Sequence, residues 1–264
     1  MIRHIVWYLD LSQAELEMLE RVAEFAARHG ARLRAVFIED ESLLRSAELP
    51  CTREVSLTTG RVRSLEPERL RLQLRRRHEH IRQRLEQLGR HSALEWSLDM
   101  VSGRRDRLQA ASLPEPGEVQ VAVLDPGDEL AEVPASGGSR LVLSRRFRPA
   151  ELVLAVFEDA GRDLPVVLRA RWLARQGRLP LWLAVPAEQA AGLEPVLASL
   201  GLADAMLPLG GWTLAALLAV ATDRASLLVL HQDSTLLAGA RMRGINAALL
   251  VAPEREDDIG PERP

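Results

Sequence analysis

The chain has 264 residues, 47% of them apolar and 27% charged, with a formal charge of −3. That length accommodates one large domain or two of ordinary size, and the near-neutral balance gives no reason to expect nucleic acid or anionic lipid as a partner. All 34 basic residues are arginine, which excludes lysine Schiff-base chemistry and a Walker A phosphate loop, and the lone Cys51 excludes an intrachain disulfide or a cysteine metal cluster.

The chain opens directly into an apolar run, Ile5-Val6-Trp7-Tyr8-Leu9, which predicts a buried strand ending at Asp10. No basic leader with a long apolar core precedes it, and no run approaches the length of a membrane span. Cytoplasmic residence without membrane insertion is therefore expected. Ser12 and Glu15 match a capping box, and Leu16, Leu19, Val22, Ala23 and Ala26 recur at helical spacing up to Gly30. A second strand follows at Leu33 to Ile38, and strand–helix–strand with short turns predicts a parallel βαβ unit.

Residues 39–64 read as irregular. From Leu65 to about Arg90 a long amphipathic helix is predicted, its seam made by Leu70, Leu74, Ile81, Leu85 and Leu88 with His78 among them. Strands are expected at Leu94 to Val101, Val119 to Leu124 and Leu141 to Ser144, with a short helical piece near Arg105 to Ala111. Asp125 to Ser139, rich in Pro, Gly and acidic residues, reads as a loop.

After Phe147-Arg148-Pro149 the plan restarts. Leu152 to Phe157 predicts a strand ending in Glu158-Asp159, as the first strand ends in Asp10. Helices at Leu164 to Gln176, Glu188 to Leu200, Leu214 to Ala221 and near Leu236 to Met242 alternate with strands at Leu181 to Val185, Ala205 to Leu209, Leu227 to Leu230 and Ala247 to Val251. A tail rich in proline and charge, predicted to be disordered, closes the chain. Two tandem α/β modules follow, each a five-stranded, mainly parallel sheet with helices on both faces: residues 1–147, residues 148–253, and the tail 254–264.

The opening Ile2-Arg3-His4-Ile5-Val6-Trp7-Tyr8-Leu9-Asp10-Leu11-Ser12, an apolar strand followed by Asp-x-Ser, resembles that of the universal stress proteins. The exit of the second strand, Leu33 through Glu41, and the strand–glycine end Asp99-Met100-Val101-Ser102-Gly103 fit the same plan. Val156-Phe157-Glu158-Asp159 and Leu209-Gly210-Gly211 stand for them in the second half. The resemblance implies flavodoxin-like or Rossmann-like modules of the adenine-nucleotide α-hydrolase type. It also implies halves that pair as a pseudo-dimer, with Leu141 to Ser144 antiparallel to Ala247 to Val251.

ATP-binding members of that family carry Gly-x2-Gly-x9-Gly-Ser/Thr after the fourth strand. Here Leu124 replaces the glycine that should precede Gly127 by three, and Gly138-Ser139 runs straight into the last strand. The second half has His231-Gln232-Asp233-Ser234 at the corresponding place, and Asp125 and Asp128 would repel phosphates. By resemblance the residues to inspect for nucleotide binding are Asp10, Gly103, Gly127, Gly138 and Ser139.

In open parallel sheets ligands bind beyond the carboxyl ends of the strands. The predicted exits of the first half collect Asp10, Glu39, Asp40, Gly103 and Asp125, which read either as nucleotide and Mg²⁺ ligands or as caps and turn residues. His78 and His80 stand about 200° apart on one helix and cannot share an ion. Arg69, Arg71, Arg75, Arg76, Arg77, Arg82 and Arg84 alternate with Glu68, Glu79 and Glu86, which suits a solvated face more than a polyanion site. No nucleophile elbow and no dinucleotide fingerprint is present. The expectation is a non-enzymatic regulatory or interaction protein of the stress response, without cofactor, its nucleotide binding weak or lost. A protein partner is expected on helix 65–90 and loop 39–64, next to an apolar patch flanked by Leu43 and Leu44, and a homodimer is a further option. The alternative is an ATP or AMP sensor, with Mg²⁺, using Asp10, Gly103 and Gly127. A carboxylate- and Mg²⁺-dependent phosphohydrolase ranks last, because no acidic pair has diagnostic spacing.

Overall fold

Burial on both faces makes most strands of the main sheet interior ones, with those at Trp96–Ser102 and Met206–Leu209 at its edges. In the computed structural model β1 (His4–Leu9) sends Ile5, Trp7 and Leu9 into one apolar layer and Val6 and Tyr8 into another, as expected of parallel strands covered on both sides. The structure describes residues 1–9, 13–56, 59–104, 107–108, 115, 117–125, 128–129, 138–220, 225–238, 240–241 and 245–252. Asp10, Ser12, Gly127, most of the short helical piece predicted near Arg105 to Ala111, and the tail 254–264 lie outside the described residues.

Helix α1 (Gln13–Arg28) buries Leu19, Val22, Ala23 and Ala26 on one face. It stops at Gly30, whose φ of +61° suits glycine. The Ala31 N–H donates to Ala26 C=O and the Gly30 N–H to Ala27 C=O, closing the helix with a Schellman turn. Strand β2 (Arg32–Glu39) follows.

The segment 39–64 corrects the expectation of irregular chain. It holds a short helix α2 (Glu41–Ala47) and a hairpin of β3 (Arg53–Val55) with β4 (Val62–Ser64). Asp40 starts α2, its Oδ1 accepting from the N–H groups of Ser42 (2.8 Å) and Leu43 (3.4 Å). Helix α3 (Pro67–His91) buries the predicted Leu70, Leu74, Ile81 and Leu85, and His78 meets Phe37 edge-on at 5.8 Å.

Strands β5 (Trp96–Ser102), β6 (Glu118–Leu124) and β7 (Ser139–Ser144) complete the first half. The second contains β8 (Leu152–Val156), α4 (Leu164–Gly177), β9 (Leu181–Pro186), α5 (Ala190–Ser199), β10 (Met206–Leu209), α6 (Leu214–Val220), β11 (Ser226–His231) and β12 (Ala247–Val251). The helix expected near Leu236 to Met242 is a single 3₁₀ turn, Thr235–Leu237, among the described residues.

One ten-stranded sheet runs in the order β10-β9-β8-β11-β12-β7-β6-β1-β2-β5. Read outward from the middle, each half places its strands identically: last, fourth, first, second, third. All neighbours are parallel except β12 and β7, which pair antiparallel with Ala248 opposite Val142 and Leu249 opposite Leu141. The two five-stranded sheets expected separately are thus joined edge to edge. The expected antiparallel contact of the closing strands is the joint.

Candidate functional site

At a point where neighbouring strands connect outward in opposite directions, an open parallel sheet leaves a crevice beyond its carboxyl ends. In the second half that point lies between β8 and β11. The residues leaving β8, Glu158-Asp159-Ala160-Gly161-Arg162-Asp163, form a tight turn before α4. Asp159 Oδ1 accepts from the N–H groups of Gly161 (2.7 Å) and Arg162 (3.1 Å), and these bonds hold its carboxyl below the usual carboxylate range.

Asp163, only 1% exposed, points backward. Its Oδ2 accepts from the N–H groups of Glu158 (2.7 Å) and Asp159 (3.0 Å). The Arg162 guanidinium then closes over both acids. Its Nε donates to Asp163 Oδ1 at 2.7 Å, one terminal nitrogen to Glu158 Oε2 at 2.5 Å, and the other to the Asp233 carbonyl at 3.3 Å. The bond to Asp163, ahead of the one to Glu158, raises the Arg162 pKa far above its ordinary value.

Glu158 collects donors from two further strand exits. The Trp212 indole N–H, beyond β10, and the Thr235 hydroxyl, beyond β11, both reach Oε1, at 2.7 and 2.5 Å. Burial alone would push this carboxyl up, but the bonds from Thr235, Trp212 and Arg162 together outweigh it and hold it below the usual range. His231, at the end of β11, is buried and its Nδ1 accepts from the Asp233 N–H at 3.2 Å. Burial lowers its pKa, in keeping with a neutral ring.

The first half is arranged more loosely. At the carboxyl edge the Ser102 hydroxyl donates to Glu39 Oε2 (2.9 Å), and the Gly103 N–H donates to the Glu39 carbonyl (3.1 Å) with φ +150°. Asp40 is a helix cap, as the structural alternative in the sequence had it. Asp125 pairs with Arg145 at 2.6 Å, and its N–H donates to Asp128 Oδ2 at 2.7 Å.

Gly138 and Ser139 are not brought to this edge. Ser139 aligns with Val119 at the amino end of the parallel β6–β7 pair, the opposite rim from Gly103. Its hydroxyl is taken up by the second half, accepting from the Ala252 N–H at 3.2 Å and from Arg169. A loop that runs straight into β7 enters that strand at its start, so its last residues fall at the wrong end of the sheet for the crevice. Of the predicted residues, Gly103 is at the carboxyl edge and Asp10 and Gly127 lie outside the described residues. The sequence marks Glu158-Asp159 as the acidic exit of β8, but not the partners Arg162, Asp163, Trp212 and Thr235. Of these only Arg162, four residues on from Glu158, carries a local signal, since Trp212 and Thr235 arrive from distant strands. Among the described residues no group of three metal-ligating side chains occurs.

These features define a class: a duplicated, doubly wound α/β protein with a topological switch point at the strand exits of each half. Comparison with solved structures narrows it. The chain is similar to a universal stress protein from Archaeoglobus fulgidus (TM-score 0.65, 10% identity, covering 94% of this chain and 98% of that one). It is also similar to a putative universal stress protein from Pseudomonas aeruginosa (TM-score 0.59, 14% identity, 98% and 95%) and to a protein of unknown function from the same species (TM-score 0.58, 15% identity, 98% and 94%). No family model and no curated protein sequence matches the chain. The fold is that of the universal stress proteins.

Proposed function

We propose that this chain is a universal-stress-like regulatory or interaction protein that carries out no chemistry and whose nucleotide binding is weak or lost. The observation that carries this reading is the closed network of Glu158, Arg162 and Asp163. An anionic phosphate needs free donors at the strand exits. In the second half the backbone N–H groups after β8 already serve Asp163 and Asp159, and the arginine serves both acids. In the first half the exit of β2 presents Glu39, whose charge opposes a phosphate, and at the exit of β6 the Arg145 guanidinium is already taken by Asp125.

Titrating ATP, ADP and AMP with Mg²⁺ into the desalted protein tests the reading, with Asp10→Ala measured in parallel. No binding heat and no thermal shift are expected. Micromolar binding abolished by Asp10→Ala would replace this reading with a nucleotide sensor in the first half.

The interaction surface of this proposal is α3 with α2 and the β3–β4 hairpin. Leu43 and Leu44 pack against the core, so the exposed apolar side chains there are instead Leu49, Val55, Val62 and Leu72. Next to them Arg71 pairs with Glu48 (3.1 Å) and Arg82 with Glu79 and Glu86 (both 2.8 Å), while Arg69, Arg75 and Arg76 have no acidic partner among the described residues. Free guanidinium groups around exposed aliphatic side chains suit an acidic protein partner with apolar anchors.

A further inference from the structure

The rim opposite the first-half crevice carries a cavity that no nucleotide reading uses. It has a volume of about 490 Å³ and is walled by the starts of β1 and β2, the residues leading into β5, and the last turns of α4 from the other half. This size falls within the range of small-molecule pockets. Its frame is held by backbone bonds: the Arg32 N–H donates to the Arg3 carbonyl and the Leu33 N–H to the Glu95 carbonyl, both at 2.9 Å.

The inner wall is apolar and aromatic. His29 is 4% exposed and lies between Phe25, with ring centroids 4.3 Å apart, and Trp172, at 6.0 Å. A carbonyl only accepts, so the 2.8 Å contact with the Phe25 C=O places the hydrogen of the ring on Nδ1. Burial lowers the pKa of this imidazole, and its Nε2 is buried without a hydrogen-bond partner. His29 therefore supplies a flat, neutral surface. Ile2, Ala31 and Ala93 line the cavity with it.

The polar side chains of the wall are unequal in charge. Glu95, the one carboxylate, is paired with Arg32. Arg3 and Gln176 make no side-chain hydrogen bond or ion pair among the described residues, so a guanidinium and an amide stand unspent among the lining residues that include Trp172.

We infer that this cavity between the halves is a binding site for a small organic anion bearing an apolar ring, the acid group held by Arg3 and Gln176 and the ring laid against Trp172. A ring on the indole buries apolar area without needing further donors, and a carboxylate on a free guanidinium forms a charge-assisted pair. The site is independent of the proposed function, since it shares no residue with the strand exits or with α3.

Calorimetric titration of benzoate and of its neutral counterpart benzyl alcohol into the intact protein tests the site. Benzoate is expected to bind saturably and about tenfold more tightly than the alcohol. Arg3→Gln, at an exposed position, should weaken benzoate about tenfold and leave the alcohol unchanged. Trp172→Leu should weaken both, with Arg61→Gln, far from the site, as the unaffected control. Absence of saturable benzoate binding at millimolar concentration, equal affinity for the two compounds, or benzoate binding indifferent to Arg3→Gln would overturn the proposal.

Discussion

Arg162 shows what a single residue carries in this chain. It neutralises two carboxylates that are almost wholly out of water, and removing one member of a buried ion group leaves the others uncompensated. Arg162→Ala should therefore cost about 3 kcal/mol in urea denaturation at neutral pH, and a loss below about 1 kcal/mol would mean the acids find water instead. Glu158 adds a pH dependence of known sign. Its folded pKa lies below the ordinary 4.5, so its stabilisation is present above that value and is lost as pH falls through the lower folded one. Glu158→Gln should remove that part of the acid-side slope. His29 acts in a higher window. Burial depresses its pKa below the ordinary 6.5, so the unfolded chain takes up a proton below that pH while the folded one resists. Stability should fall as pH drops below 6.5. His29→Phe should flatten the slope measured by thermal denaturation, leaving the part that belongs to His231.

At the scale of elements, α3 separates two roles on two faces. Its buried stripe holds the helix to the first half, and Leu74→Ala, at a position 2% exposed, should cost about 2–5 kcal/mol by leaving a cavity. Its outer face behaves differently. Arg75→Glu with Arg76→Glu changes exposed side chains that support nothing in the fold, so stability should stay within about 0.5 kcal/mol. The same variant should lose the partner captured by the native protein, and wild-type capture should weaken with salt. Unchanged capture would move the partner surface elsewhere. The buried stripe was readable in the sequence because 25 residues give a helical period many repeats. The segment before it was not, since a seven-residue helix and three-residue strands contain too few periods to be told from loop.

Across the whole molecule, the β7–β12 pair makes two halves into one sheet. The main apolar core runs through both, from Ile5 and Leu33 to Leu173 and Leu227, so neither half has a separate core on that face. Unfolding should therefore occur in one transition, with tryptophan fluorescence and amide exchange in β1 and β8 coinciding. Ala248→Pro removes the backbone N–H from a strand paired on both sides and should lower the protection of β1 and β8 together. Loss confined to β8 would show the halves to be energetically separate.

Duplication and the alternation of strand and helix were legible in the order and spacing of apolar runs, which are properties of contiguous residues that hydrophobic period specifies. The antiparallel meeting of Leu141 to Ser144 with Ala247 to Val251 was expected from the family resemblance alone. The Glu158–Arg162–Asp163 network with Trp212 and Thr235, the removal of Ser139 to the far rim, and the cavity between His29 and Trp172 were decided by tertiary structure. Each depends on which strand ends share an edge of the sheet. The sheet order sets that across separations such as the 77 residues of the Glu158–Thr235 contact and the 113 of Ser139–Ala252, distances over which local sequence carries no phase.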